Sequence, residues 1–209
     1  MKSSRIGIDF DNTIICYDLL FYNLAIKMYS MDAAVMPTKQ AVRDALRSQP
    51  GGETHWQKLQ ATVYGPRIYD AQPFPGIHNF LKIGLQTGAT FFIVSHKSRF
   101  AAQDTELRHN LVTMANTWLF RHEIAGIGMP IHPDHVYFEP SRQEKLARIA
   151  NLRCDIFIDD LPDIFLATAF PAMTTPILFG YQEYSTEGLE RITPFASWDT
   201  ITKMFFYHV

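Results

Sequence analysis

Several short apolar runs in this chain end directly in polar side chains, and this pattern limits the possible folds more than any other feature. The run 6–8 leads into Asp9, Asp11 and Thr13, the run 89–94 leads into Ser95, and the run 155–158 leads into Asp159 and Asp160. Short apolar runs are typical of strands that are buried on both faces of a parallel sheet. Ligands bind at the carboxyl ends of such strands. The sequence therefore predicts a functional site where these three strands end.

Helical patterns separate the apolar runs. Further strands are predicted at 135–138 and 176–179, and a closing helix at 198–206. A long helical pattern runs from Leu107 to Leu119, and Ser141 with Glu144 has the form of a helix-capping box. Strands that alternate with helices predict an α/β fold with a Rossmann-like, largely parallel sheet and helices on both faces.

Three helical stretches lie between the first two apolar runs. They occupy about residues 15–72, and Pro73 to Gly76 marks the return of the chain to the sheet. We therefore expect an α/β core domain formed by residues 1–14 and 73–209. A small all-helical domain, residues 15–72, is inserted after the first strand.

Composition argues against some classes of partner. Hydrophobic residues make up 47% and charged residues 19% of the 209 residues, with a formal net charge of −2. This balance does not favour nucleic acid as a partner, because phosphate backbones require a basic surface. No apolar run approaches membrane-spanning length and no signal-peptide core precedes the first strand, so we expect a cytoplasmic protein with no membrane partner. Cys16 and Cys154 lie far apart in the sequence, and reduced thiols are expected.

The polar strand ends predict a chemistry. Several carboxylates at one sheet edge repel one another, so a hard divalent cation with oxygen ligands is implied. Mg²⁺ suits this set, and because it keeps water and phosphate oxygens as ligands, phosphoryl transfer follows. The Ser95 hydroxyl and the Lys145 ammonium could hold the phosphoryl oxygens. The expected partner is a small phosphorylated substrate.

The order of these motifs resembles that of the haloacid dehalogenase-like (HAD) hydrolases. The resemblance rests on Asp9-x-Asp11-x-Thr13 after one strand, Ser95 after a second, a downstream lysine, and an acidic pair after a later strand. It spans most of the chain. The helical block at 15–72 is similar to the small cap that many members of this family carry at that point.

The resemblance implies a role for each residue. Asp9 would be the nucleophile that forms an aspartyl-phosphate, and Asp11 would be the general acid and then the general base. Thr13 and Ser95 would hydrogen-bond the phosphoryl group, and Lys145 would neutralise its charge. Mg²⁺ would be held by the Asp9 side chain, the Asp11 backbone carbonyl, and the pair Asp159 and Asp160. An aspartate at position 11 indicates a phosphatase, because the dehalogenases lack it.

Alternatives remain for individual residues. Lys97, close to Ser95, is a rival to Lys145 for the phosphate, and Asp163 is a further candidate metal ligand. Carboxylates at a strand end also form turns and caps, and a lysine on a charged helix face is usually solvated. His132, Asp134 and His135 could suggest a metal site but are better interpreted as surface loop residues, and His96 could shape the substrate entrance or be structural. In the helical block, Tyr64 and Arg67 are weak candidates for substrate contact, and Trp56 is better interpreted as a core residue.

Two other functions remain open. A phosphotransferase or phosphomutase would pass the phosphoryl group to another hydroxyl instead of water. A non-catalytic regulatory protein would bind phosphate through the same acidic cluster, hydroxyl and lysine, but the early position of the first aspartates and the helical insertion disfavour it. The sequence does not identify the leaving group or the oligomeric state.

Overall fold

The computed structural model describes residues 4–104, 106, 108–180 and 192–207. In chain order the helices and strands are β1 (Arg5–Ile8), β2 (Ile15–Cys16), α1 (Asp18–Tyr29), α2 (Lys39–Arg47), α3 (Gly52–Tyr64), β3 (Gln72–Pro73), α4 (Ile77–Gln86), β4 (Thr90–His96), α5 (Leu111–Arg121), β5 (Val136–Glu139), α6 (Arg142–Asn151), β6 (Ile156–Asp159), α7 (Pro162–Leu166), β7 (Thr175–Phe179), β8 (Thr193–Phe195) and α8 (Trp198–Phe206). Short 3-10 turns occupy Ile68–Asp70 and Pro133–His135.

Six of the described strands form one parallel sheet in the order β5-β4-β1-β6-β7-β8. β1 lies between β4 and β6, and Ile8 is paired with Ile93 on one side and Ile158 on the other. Strands β2 and β3 pair separately. The predicted α/β fold with a parallel sheet is confirmed.

Apolar side chains cover both faces of the sheet. On one face Phe92 and Phe157 pack with Leu146 and Ile149 of α6 and Ile164 of α7. The Phe157 ring lies against Gly7 of β1 there, since a Cβ on Gly7 would lie 2.5 Å from this ring. Such a close contact favours glycine at this position.

The opposite face carries an aromatic cluster. Because side chains alternate along a strand, Phe91 points away from the face that Phe92 covers. Phe80 of α4 packs on Phe91, with ring centroids 5.5 Å apart, and on Trp198 of α8 at 4.7 Å. Trp198 in turn contacts Phe179 of β7 at 5.1 Å. Helices therefore cover both faces, as predicted.

The chain divides into two compact units. The sheet unit contains residues 1–15, 73–97 and 119–209, and the helical unit contains residues 16–72 and 98–118. The prediction places the segment 98–118 in the α/β core, but in the structure this segment clusters with the helical residues. The domain boundaries 1–14, 15–72 and 73–209 remain a prediction, because compactness alone does not define a domain.

The helical unit has its own aromatic core. Phe21 of α1 stacks on Trp56 of α3 with ring centroids 5.0 Å apart, and Tyr64 meets Phe21 edge-on at 5.6 Å. The Trp118 indole N–H donates to the backbone carbonyl of Ala71 at 3.0 Å. Trp56 and Tyr64 thus pack within this unit.

Some predicted boundaries differ from the structure. The predicted helix from Leu107 to Leu119 begins as α5 at Leu111, and Leu107 itself lies outside the described residues. β8 was not predicted, because it has three residues and contains Pro194. None of the helices in the described ranges is long and apolar enough to cross a membrane.

Candidate active site

Three neighbouring strands bring the predicted site residues to one edge of the sheet unit. Asp9 follows β1, and its N–H donates to the carbonyl of Ile158 in β6 at 2.8 Å. Asp159 is the last residue of β6, and Ser95 lies near the end of β4. Because the strands are parallel and in register, these carboxyl ends meet.

A tight turn after β1 positions Asp11 and Thr13. Asn12 adopts a left-handed conformation with φ of 57°, which asparagine tolerates better than most residues. The N–H groups of Ile14 and Ile15 both donate to the carbonyl of Phe10 at 3.1 Å. The chain therefore reverses within a few residues of Asp9.

A hydrogen bond from α8 fixes the backbone of Thr13. The Trp198 indole N–H donates to the Thr13 carbonyl at 3.0 Å, and Thr13 is fully buried. Its hydroxyl has no hydrogen-bond partner among the described residues. A buried hydroxyl without a partner is costly, and a bound anion would satisfy it.

Lys145 lies between two carboxylates. Its Nζ is 2.5 Å from Oδ1 of Asp9 and 2.6 Å from Oδ2 of Asp159, and the residue is 2% exposed. Ser141 caps α6 by accepting from the Glu144 N–H at 3.1 Å, and its hydroxyl donates to the Glu144 carboxylate at 2.7 Å. The Ser141 half of the expected capping box thus begins the helix that carries Lys145, while the Glu144 carboxylate accepts from the Ser141 hydroxyl instead of the Ser141 backbone N–H.

The pKa values of Lys145 and Asp159 are shifted by burial and by neighbouring charges. Burial alone would lower the pKa of Lys145, but Asp159 and Asp9 outweigh it and raise that pKa above its usual value. Burial raises the pKa of Asp159 to about 6, and the nearby Asp9 charge adds to this while Lys145 opposes it. Lys145 therefore remains an ammonium at neutral pH.

Asp9, Asp159 and Asp160 form an oxygen cluster that fits a divalent cation. One carboxylate oxygen from each lies within 4.8 Å of the others. Mg²⁺ and Ca²⁺ prefer oxygen ligands, and Mg²⁺ is bound by few carboxylates together with water and phosphate. The residues present therefore fit the expected metal. The Asp11 side chain is not part of this cluster.

Asp11 pairs with Lys97 instead. The Lys97 Nζ lies 2.9 Å from Oδ1 and 2.8 Å from Oδ2 of Asp11. The side chain of Lys97 is 3% exposed and that of Asp11 is 22% exposed. Of the two rival lysines, Lys145 is thus the one beside Asp9 and the acidic pair. Sequence alone singled out Lys97 only because it is close to Ser95.

The other candidates are not members of the acidic cluster. Asp163 is in α7, where its carbonyl accepts from Arg142, and it is not among the clustered carboxylates. His132 and Asp134 form an exposed pair, 3.4 Å apart. Within the described part of the chain, no second cluster of metal-ligating side chains is found. His96 is exposed, with Nε2 3.2 Å from the carbonyl of Pro140.

The helical unit contains a groove of about 440 Å³. Its walls include Leu20 and Leu24 of α1, with Lys27, Arg67 and Asp70 among its polar residues. Arg67 is paired with Asp70. Arg67 is the only weak candidate from the sequence that lines this groove.

Comparison with known proteins adds to these findings. No protein-family model matches the chain, and no curated protein sequence matches it. Solved structures do match along nearly the whole chain. A predicted phosphoglycolate phosphatase from Haemophilus somnus has a TM-score of 0.55 and 14% identity, covering 98% of each chain.

Two further solved structures agree. A HAD family hydrolase from Deinococcus radiodurans, with bound phosphate and sodium, has a TM-score of 0.55 and 14% identity, and the match covers 97% of this chain and 94% of that one. A HAD-superfamily hydrolase from Ehrlichia chaffeensis has a TM-score of 0.52 and 15% identity, and the match covers 98% and 97%. This chain has the HAD-like fold. At these identities the likeness concerns the fold, and the HAD-like site residues of this chain stay predictions.

Proposed function

We propose that this chain is a Mg²⁺-dependent phosphatase that hydrolyses a small phosphorylated metabolite through an aspartyl-phosphate. One observation carries the proposal. The buried Lys145 ammonium lies between Asp9 and Asp159, and these two carboxylates cluster with Asp160. Asp9, at the edge of the HAD-like sheet, is thus a carboxylate beside an ammonium. A nearby cation stabilises the charge that develops when a carboxylate accepts a phosphoryl group.

The first step transfers the phosphoryl group to the protein. An Asp9 carboxylate oxygen attacks phosphorus, and the bond from phosphorus to the leaving oxygen breaks. Asp11 gives its proton to that leaving oxygen, so the product departs as a neutral alcohol. Lys145 offsets the charge on the phosphoryl oxygens.

The second step restores the protein. Asp11, now ionised, removes a proton from a water molecule, whose oxygen attacks the phosphorus of the aspartyl-phosphate. The bond between phosphorus and Asp9 breaks, which releases inorganic phosphate and regenerates the Asp9 carboxylate. Asp11 regains its proton in this step, so one water is consumed per phosphate released.

Other residues bind and orient the phosphoryl group. The Thr13 hydroxyl, which is buried and without a partner among the described residues, is available to donate to a phosphoryl oxygen. Ser95 is 1% exposed at the end of β4 and supplies a second hydroxyl. When bound by Asp9, Asp159, Asp160 and the Asp11 carbonyl, Mg²⁺ would supply further charge neutralisation for the phosphoryl group.

The test is hydrolysis of p-nitrophenyl phosphate by purified protein with Mg²⁺. Asp9→Asn is expected to lower kcat by at least about 1,000-fold, because it removes the nucleophile. Asp134→Asn is the matched control, since it changes a carboxylate with an 87% exposed side chain, and it should retain full activity. Chelation should abolish activity, and added Mg²⁺ should restore it. Full activity of Asp9→Asn would refute the proposal.

A further inference from the structure

Lys97 is a buried lysine for which the sequence gives only a rival role as a phosphate ligand. Its Nζ reaches both carboxyl oxygens of Asp11, at 2.9 and 2.8 Å. An ammonium that contacts both oxygens fixes the plane of the carboxyl group, since rotation of that group would lengthen one contact. Lys145, in contrast, contacts Asp9 and Asp159.

The position of Lys97 is itself well defined. It directly follows β4, and its backbone N–H donates to the carbonyl of Glu139 in β5 at 2.9 Å. Its Nζ lies 5.3 Å from the centre of the Phe10 ring, and Phe10 packs edge-on against Phe138 at 5.5 Å. Two neighbouring strands and a buried ring therefore hold the ammonium where it meets Asp11.

A buried ammonium is costly unless an anion compensates it. Here the carboxyl group that meets the ammonium is the one to which the proposed function assigns proton transfer. Asp11 is 22% exposed at its side chain while Lys97 is 3% exposed. Lys97 thus contacts Asp11 from the buried side, and part of the Asp11 side chain is exposed.

We propose that Lys97 is a positioning residue that holds the Asp11 carboxyl group in line with the leaving oxygen, and so adapts the site to phosphate esters with poor leaving groups. This inference rests on the proposed function. An ammonium can donate to a carboxyl oxygen whether or not the other oxygen carries a proton, so the same contact serves both steps. The substrate class it favours is alkyl phosphates, whose alkoxides must be protonated as they leave.

The test uses a series of para-substituted phenyl phosphates, from p-nitrophenyl to p-methoxyphenyl. These esters are similar in size but differ in the pKa of the departing phenol. With p-nitrophenyl phosphate the leaving group departs as the anion and needs no proton. In the wild type, kcat/KM should change little along the series, because Asp11 protonates the poorer leaving groups.

In Lys97→Met, kcat/KM should fall steeply as the pKa of the departing phenol rises. We expect a loss in kcat/KM of about 100-fold for p-methoxyphenyl phosphate and less than about 10-fold for p-nitrophenyl phosphate. Lys97→Gln, which keeps an N–H donor, should give an intermediate slope and replaces Lys97→Met if the latter does not fold. A uniform loss along the series would mean a merely structural role and would overturn the inference.

Arg148→Met is the matched control. It also removes a cation that pairs with a carboxylate, Glu139 at 2.7 Å, and that lies over an aromatic ring, Tyr137 at 4.4 Å. Arg148 is outside the acidic cluster, so in this variant kcat/KM should depend on the pKa of the departing phenol as it does in the wild type. A steep slope in Arg148→Met as well would also overturn the inference, because the effect would not be specific to Lys97.

Asp11→Asn separates failure of this inference from failure of the proposed function. If Asp11→Asn steepens the slope and Lys97→Met does not, the inference is wrong while the function stands. If Asp11→Asn and Lys97→Met both make kcat/KM more dependent on the phenol pKa, the double variant should show the same dependence as Asp11→Asn alone, since the two residues act as one unit. If the wild type hydrolyses none of these esters with Mg²⁺, or Asp11→Asn leaves the slope unchanged, the assigned chemistry fails, and the inference fails with it.

Discussion

Two buried lysines meet two different aspartates of the Asp9-x-Asp11 stretch. Lys145 contacts Asp9 from α6, and Lys97 contacts Asp11 from the end of β4. Sequence alone could identify the aspartates, because they follow a short apolar strand. It named Lys145, with Lys97 as a rival, but it could not say which carboxylate each ammonium reaches, because that depends on the geometry of neighbouring strand ends.

Lys145→Met tests how the site balances its charge. Without the ammonium, Asp9 and Asp159 repel each other in a buried place, so the metal-free protein should lose about 3–5 kcal/mol of unfolding free energy. Added Mg²⁺ should recover much of this loss, because a cation again lies among the carboxylates. Urea unfolding with and without Mg²⁺ measures both effects.

Lys203→Met provides the control, since Lys203 is an exposed residue of α8. Its unfolding free energy should stay within about 0.5 kcal/mol of the wild type. Equal metal-free stability of Lys145→Met and Lys203→Met would contradict the charge balance described for the site.

At the level of elements, prediction from sequence succeeded where burial makes the pattern clear. β1, β4, β6 and β7 are short apolar runs buried within the sheet, and each was predicted. β8 has no such signal, and β2 and β3 have only two residues each. The pairing of β2, β3 and β8 depends on tertiary contacts, which a local sequence pattern does not predict.

The hydrogen bond from Trp198 to Thr13 illustrates the same limit in the site. It joins α8 to the turn after β1 across 185 positions of the sequence. The pattern at 198–206 predicted a helix, and α8 confirms it. That this helix would support the turn of the candidate site could be learned only from the fold.

Gly84→Ala tests the packing of α4 on the sheet. In an exposed helix interior this change usually stabilises a protein by about 1 kcal/mol. Here a Cβ would clash with the Phe91 ring and lie 3.0 Å from the Phe206 ring, so a loss of about 1–3 kcal/mol is expected. Thermal unfolding measures whether Gly84→Ala lowers or raises the stability of the protein.

Lys82→Ala, at an exposed position of the same helix, should change stability by less than about 0.5 kcal/mol. If Gly84→Ala were more stable than the wild type, α4 would not pack on Phe91 as described.

At the scale of the whole molecule, the acidic edge should link metal binding to stability. The cluster of Asp9, Asp159 and Asp160 brings three carboxylates to the one ammonium of Lys145, and one divalent cation would balance the difference of two charges. A cation that binds only the folded state stabilises it by mass action. The cation should therefore act on the global unfolding transition.

Saturating Mg²⁺ should raise Tm by roughly 5–10 °C, which corresponds to about 2.7 kcal/mol at 100 times Kd. Asp160→Asn should lose most of this shift, because it removes one ligand of the cluster. Asp134→Asn should keep the shift, and NaCl at equal ionic strength should not reproduce it. An unchanged shift in Asp160→Asn would exclude Asp160 from the metal site.

The central claim is that Asp9 carries the phosphoryl group, and chemical trapping tests it most directly. Asp11→Asn with p-nitrophenyl phosphate and Mg²⁺ should accumulate the aspartyl-phosphate, because this ester needs no acid while the hydrolysis step needs the base. Borohydride then reduces the acyl phosphate to homoserine, which peptide mass spectrometry can locate. We predict homoserine at residue 9. Release of nitrophenol with homoserine at another residue, or at none, would contradict the account.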